Sequence, residues 1–242
     1  MVLGDDEKIE DLQFQNLKII QNKKLYNFTS DSVVLANFVK TRKSDVAVEI
    51  GAGCGVISIL VQAKNPLEHV FAFELQNEMV ALCEKNIALN RLENKITLFH
   101  DRVQNFEDYI KKSSADVVFS NPPYFKSTNF EQDEVKRIAK EESFLPLKDL
   151  VFCAAKMLKS GGAFYCCYNA DRSIDLICEC RKNKLEVKEM FFTENGQGKV
   201  KIVVIKAVKD GKSGVKVFKN LITNNQNGDY LEELKTKYLK KN

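Results

Sequence analysis

The chain has 242 residues, of which 44% are apolar and 29% charged, proportions that exclude a disordered or fibrous polypeptide and suit one large domain with modest extensions. Its 37 basic and 33 acidic side chains leave a formal charge of +4, too small by itself to name a partner. No run approaches the roughly 18 consecutive apolar residues of a membrane helix, and the opening MVLGDDEKIEDL is acidic where a secretory signal is basic and then apolar, so a cytoplasmic protein with no membrane role is expected.

Residues 1–45 read as an N-terminal arm in which Thr29 or Ser30 is placed to cap a helix over DSVVLANFVK. From residue 46 short β-rich runs alternate with segments of helical period: VAVEI precedes a helix from about Val56, HVFAFE precedes MVALCEKNIALN, and KITLFH precedes VQNFEDYI. ADVVFS, AFYCCY before a helix through DLICECRK, EVKEMFF and KVKIVVIKAV complete the series. Strands alternating with helices imply βαβ units, hence a parallel sheet covered on both faces. Only TENGQG separates the last two runs, which reads as a hairpin, so the sheet is expected to end in an antiparallel strand. The expected architecture is therefore an α/β fold with a seven-stranded, mostly parallel sheet. Three segments interrupt the rhythm: the arm 1–45, a polar insertion at 126–146, and a lysine-rich extension at 209–242 ending in a short helix, DYLEELKTKYLKK; the α/β domain itself would be 46–208.

The seven cysteines include an adjacent pair and a C-x-C but no C-x-x-C, and there are only two histidines, His69 and His100. That inventory suits buried free thiols better than a disulfide framework, and no metal is expected. Between Lys199 and Lys219 seven lysines face one acid, Asp210, a pattern equally suited to a phosphate-binding face and to a solvated surface.

VEIGAGCGVIS sets Gly51, Gly53 and Gly55 between the first strand and the first helix of the domain, where the missing Cβ permits a sharp turn and close approach of a ligand. Glu74 ends the next strand about twenty residues on, at the spacing of a carboxylate that accepts from both hydroxyls of a ribose. Neither G-x-G-x-x-G nor Gly-Lys-Ser/Thr is present, which argues against a dinucleotide or a nucleotide phosphate. G-x-G-x-G preceded by the acid Glu49 resembles instead the first motif of class I, Rossmann-like methyltransferases. That resemblance implies S-adenosylmethionine as cofactor, held by Thr29, Glu49, Gly51, Ala52, Gly53, Gly55, Glu74, Leu75, Asp101, Arg102 and Asn121, with Glu49 suited to the ammonium end and Asp101 to the adenine amino group. Asp101 is also placed to cap the VQNF segment.

After the fourth strand comes SNPPYF. At the point where strand order reverses, a loop leaving the carboxyl end of a strand faces the ligand. An amino nitrogen conjugated to a ring is a poor nucleophile; the Asn121 side-chain oxygen and a carbonyl of Pro122 or Pro123 can accept its two N–H bonds and free its lone pair, and Tyr124 can stack on the planar substrate. N-P-P-Y in this position is similar to the motif of methyltransferases acting on adenine N6, guanine N2 of ribosomal RNA, or a glutamine amide of a protein.

QNKKLYNFTSDSVVLANF, VEIGAGCGVISIL, SNPPYFK, GGAFYCCYNADR and GKSGVKVFKNLIT together resemble the bacterial tRNA adenine-N6 methyltransferases that modify a valine tRNA beside the anticodon. The resemblance implies a monomeric enzyme with tRNA as substrate, catalytic residues Asn121, Pro122, Pro123 and Tyr124, and Phe28, Thr29 and Asp31 lying over the cofactor and near the target base. The insertion departs from the family pattern: Ala139-Lys140-Glu141-Glu142 stands where a His-Glu follows the alanine. Methylation of another planar nitrogen, and a non-catalytic RNA-binding module, remain open on the sequence.

Overall fold

The computed structural model describes residues 3–123 and 144–224. A hairpin of β1 (Glu7–Asp11) and β2 (Lys18–Asn22) leads into α1 (Ser30–Phe38). The chain then runs β3 (Val46–Ile50), α2 (Val56–Lys64), β4 (His69–Glu74), α3 (Asn77–Leu89), β5 (Ile96–His100), a 3-10 turn Val103–Asp108 and β6 (Ala115–Ser120). Beyond the undescribed stretch come α4 (Leu147–Met157), β7 (Leu158–Asn169), α5 (Ser173–Lys182), the long strands β8 (Leu185–Glu194) and β9 (Val200–Lys209), and two two-residue strands, β10 (Lys216–Val217) and β11 (Leu221–Ile222).

The main sheet has the order β10-β8-β9-β7-β6-β3-β4-β5, with β11 also on β8. From β7 through β5 neighbours are parallel, and β9 is antiparallel to both β7 and β8. The expected seven strands thus become nine: the extension pairs two short segments with the open edge of β8, in register Lys216↔Glu189 and Leu221↔Thr193. Isolated pairs of residues carry no periodic signal, and they form strands only because that edge presents unpaired backbone groups.

Alternation along the strands separates two cores. Ala47 and Val117 face a cluster with Val34 and Leu35 of α1, Ile59 and Leu60 of α2, and Leu82 and Ile87 of α3. Their chain neighbours Val48 and Val118 face a second cluster with Leu150 and Val151 of α4 and Leu176 and Cys180 of α5. Strands buried on both faces read as continuous apolar runs, which is why VAVEI and ADVVFS show no polar alternation. All seven cysteines are free and six are buried, filling these cores as small apolar groups. No described helix is long and apolar enough to cross a membrane. The expected terminal helix over DYLEELKTKYLKK lies outside the described residues.

Candidate functional site

The chain moves outward from the central strand β3 to β4 and β5, then crosses to β6 on the other side. Strand register lines up the carboxyl ends. Glu49 pairs with Phe119, so two residues on, Gly51 and Asn121 emerge side by side; Ile50 pairs with Phe73 and Glu74 with His100, which sets Gly51, Glu74 and Asp101 in one row. Ser120, buried, donates its hydroxyl to the Ile50 carbonyl at 2.7 Å and pins the ends of β6 and β3 together. Around this row lies an open-mouthed cavity.

The glycine turn is held from two sides. The amides of Gly51 and Ala52 donate to the Phe73 carbonyl at 3.0 and 2.9 Å. Gly51 has φ +72° and open space where a Cβ would stand, so its backbone faces the cavity bare. Gly55 opens α2 at φ +83°, and a Cβ there would meet the Cys83 sulfur at 2.7 Å, so both dihedral and packing require glycine. Glu74 closes the turn: Oε2 accepts from the Gly53 amide at 2.8 Å, and Oε1 accepts from the Leu75 and Gln76 amides at 2.8 and 2.9 Å. Burial pushes its carboxyl up, and the hydrogen bonds from Gln76, Gly53 and Leu75 oppose that.

At the far end of the row Asp101 Oδ1 accepts from the Arg102 amide at 2.6 Å and from Asn105 Nδ2 at 2.9 Å, and Oδ2 accepts from the Tyr109 hydroxyl at 2.9 Å. These bonds, that of Tyr109 foremost, hold its carboxyl below the usual range, so it stands as an ionised acceptor. The N-cap position of the turn it precedes belongs to Arg102, not to Asp101.

Asn121, at the end of β6, stands on the other side of Gly51 from Glu74 and Asp101. Its Nδ2 donates to Ser32 Oγ at 3.1 Å, and its Oδ1 is buried without a partner among the described residues. An unsatisfied buried acceptor costs about 1–3 kcal/mol, which a ligand donor would recover.

Of the sequence candidates, Gly51, Ala52, Gly53, Glu74, Leu75, Asp101, Arg102, Asn121, Pro123 and, from the arm, Phe28 share this cavity wall. Thr29, Asp31, Glu49, Gly55 and Pro122 do not line it, and Tyr124 lies outside the described residues, as does nearly all of the insertion. Thr29 is the N-cap residue of α1 by position, but its side chain makes no capping bond. Tyr26, Ser32, Met79 and Phe144 line the cavity and were not expected from the sequence. Ser32 follows Phe28 by four residues, a spacing that could have flagged it; the others come together only through the fold.

Glu49 sits fully buried behind the turn. Its Oε2 accepts from the amide and hydroxyl of Ser58, and Oε1 has no partner among the described residues. Burial, partly opposed by Ser58, pushes its carboxyl from 4.5 to about 8. A carboxyl raised on folding takes up a proton, so stability falls as pH rises through the window between those values, by up to about 1.4 kcal/mol per pH unit. Urea midpoints should drop between pH 6 and pH 8.5, and Glu49→Gln should flatten that dependence; the same slope in the variant would assign it to other groups.

A mostly parallel sheet in this order, with a glycine turn after its central strand and a carboxylate ending the next, defines a Rossmann-like class I methyltransferase fold. The chain belongs to the methyltransferase small domain family, whose model matches residues 26–189. A Dyadobacter fermentans protein named tRNA1(Val) (adenine(37)-N6)-methyltransferase is 27% identical over 159 residues, covering 66% of this chain and 65% of that one. A Flavobacteriaceae bacterium protein of the same name is 23% identical over 173 residues, 72% of each chain. The chain thus spans about two thirds of the length of these curated relatives. Among solved structures, a protein described as a predicted O-methyltransferase from Agrobacterium tumefaciens superposes with a TM-score of 0.67 at 16% identity, over 85% of this chain and 95% of that one, a likeness of fold.

S-adenosylmethionine, the methyl donor of class I enzymes, suits these residues. The bare turn at Gly51 admits a close ligand, Glu74 Oε2 keeps one lone-pair site beyond the amides the carboxylate binds, and Asp101 is an ionised acceptor.

Proposed function

We propose that the protein transfers a methyl group from S-adenosylmethionine to the N6 amino group of an adenine in tRNA, the valine tRNA position beside the anticodon named for its relatives. The observation that carries this reading is the buried Oδ1 of Asn121, which has no partner among the described residues and lines the same cavity as the glycine turn. An amino nitrogen has two protons to donate, and an acceptor with no competing donor is what it requires.

When bound, the cofactor supplies an electrophilic methyl group. Asn121 Oδ1 takes one N–H of the target amine, a carbonyl of Pro122 or Pro123 takes the other, and the nitrogen lone pair is freed for attack. Proline fits there because it fixes the chain direction and brings no competing N–H. The amine becomes acidic only after methylation, so its proton leaves late, to water, and no strong base is needed. Holding the reactants in line contributes up to roughly 7–11 kcal/mol in favourable cases. Tyr124, next in the chain, is the candidate stacking surface.

On this reading residues 46–208 form the catalytic domain of a monomeric cytoplasmic enzyme, the arm 1–45 covers the site, and the extension 209–242 meets RNA. The lysines divide sharply. Lys206 pairs with Glu189 at 2.9 Å and Lys209 donates to the Ala155 and Leu158 carbonyls, so both are engaged internally. Lys199, Lys201, Lys212, Lys216 and Lys219 are exposed. Replacing one exposed lysine that meets phosphate should weaken binding of all tRNAs alike and reduce the slope of log K against log salt by about one. An unchanged slope across all five substitutions would return them to a solvated surface.

The function is tested with S-adenosylmethionine labelled in its methyl group, offered with total tRNA, ribosomal RNA or total protein, followed by nucleoside or amino-acid analysis. N6-methyladenosine in tRNA is expected. Label on guanine N2 or on glutamine overturns the assignment.

A further inference from the structure

Asn86, in the last turn of α3, and Asn90, the C-cap residue of that helix, stand four residues apart. Asn86 is fully buried. Its Oδ1 accepts from the Ile20 amide at 2.6 Å, and its Nδ2 donates to the Ile20 carbonyl at 3.1 Å and to the Cys54 carbonyl at 2.9 Å. Asn90 repeats the pattern: Oδ1 accepts from the Lys18 amide at 3.1 Å, and Nδ2 donates to the Lys18 carbonyl at 2.7 Å and to the Asn86 carbonyl at 2.8 Å.

The match is one of repeat lengths. Four residues of α-helix rise about 6 Å, and two residues of strand advance about 6.6–6.8 Å. Asn86 and Asn90 therefore meet Ile20 and Lys18, alternate residues on one edge of β2, as a neighbouring strand would, and they satisfy an edge that β1 leaves open. The Lys85–Glu7 ion pair at 2.6 Å joins the other hairpin strand to the same helix. Only Asn86 reaches further, because its second amide proton holds a carbonyl inside the glycine turn.

We propose that Asn86 is a positioning residue of the cofactor turn, tying the docked N-terminal hairpin to the Cys54 carbonyl so that the amides of Gly53 and Gly55 are set before any ligand arrives. The inference rests on the cofactor reading above for its consequence and on the Asn86 contacts for its geometry. Cys54 lies between Gly53, which lines the cavity, and Gly55, which opens α2, and glycines leave that backbone with little intrinsic preference. An external tie supplies the order they lack. Asn86 touches neither cofactor nor substrate, so its effect should appear in cofactor affinity and in the motion of the turn, and turnover at saturating cofactor should change little.

Asn90→Ala is the control, since it loosens the hairpin without removing a bond to the turn. In cofactor-free protein, Asn86→Ala should speed hydrogen exchange at the Gly53 and Gly55 amides about tenfold relative to Asn90→Ala, while both variants speed exchange at the β2 amides. By calorimetry Asn86→Ala should weaken S-adenosylmethionine binding about tenfold, as expected for losing one buried hydrogen bond that holds the site, and Asn90→Ala should leave affinity within about twofold. Should Asn86→Ala fail to fold, Asn86→Ser replaces it, with the same expectations. Equal turn exchange in the Asn86 and Asn90 variants overturns the inference, as does unchanged affinity in the Asn86 variant. If the unsubstituted protein binds no S-adenosylmethionine, the cofactor reading fails, and the exchange measurement still decides whether Asn86 holds the turn.

Discussion

Asn121→Ala is expected to lower single-turnover methyl transfer by on the order of a hundredfold or more, the usual cost of losing one preorganised hydrogen-bond partner of a developing charge. The side chain meets the conditions for that role. It stands at the end of β6, beside the turn that follows β3, and Ser120 pins the two strand ends together. Its amide nitrogen is anchored on Ser32, and its oxygen has no partner among the described residues. Positive charge grows on the attacking amine as the methyl group moves, so the bond to this oxygen is stronger in the transition state than in the ground state, and its loss appears in kcat. Cofactor affinity by calorimetry should stay close to that of the unsubstituted protein. A near-normal single-turnover rate in the variant would sink the mechanism, and a rate loss matched by an equal loss of cofactor affinity would move Asn121 from the reacting amine to the cofactor.

Glu74→Ala is expected to weaken S-adenosylmethionine binding by about 1.5–3 kcal/mol, roughly 10- to 150-fold, through loss of a charge-assisted hydrogen bond to the ribose. The structure adds a second contribution of the same sign. The Glu74 carboxylate receives the amides of Gly53, Leu75 and Gln76, so removing it also leaves three donors to find other partners and loosens the turn. Glu74→Gln separates the two: it keeps an oxygen for the backbone and loses the charge, so it should retain the melting temperature better than alanine while still binding cofactor weakly. Unchanged affinity in both variants would remove Glu74 from the cofactor site.

Much of the site was readable because it is local. The turn at Gly51, Gly53 and Gly55, the carboxylate of Glu74 and the N-P-P run each sit at a strand end, and a strand end is marked by where an apolar run stops. Their convergence follows from parallel pairing, which brings carboxyl ends to one edge of the sheet. Tyr26 and Met79 were not readable, because each reaches the cavity from a segment whose docking no periodicity encodes.

Sequence alone determined the α/β class, the alternation of strand and helix from β3 through α3 to β5, the later strands β6 to β9, and the residue types offered at each strand end, since these follow from periodicity and from residue type; the hairpin, α4 and the short strands β10 and β11 were not read. Tertiary structure decided the rest. It placed Glu49 behind the turn rather than on the cavity wall, because β3 is buried on both faces and alternation directs that side chain inward onto Ser58. It drew Lys206 and Lys209 out of the cationic face by giving them Glu189 and two carbonyls. It turned an undistinguished N-terminal segment into a hairpin docked on Asn86 and Asn90, a contact spanning 66 and 72 residues of sequence that exists only once α3 and β2 lie side by side.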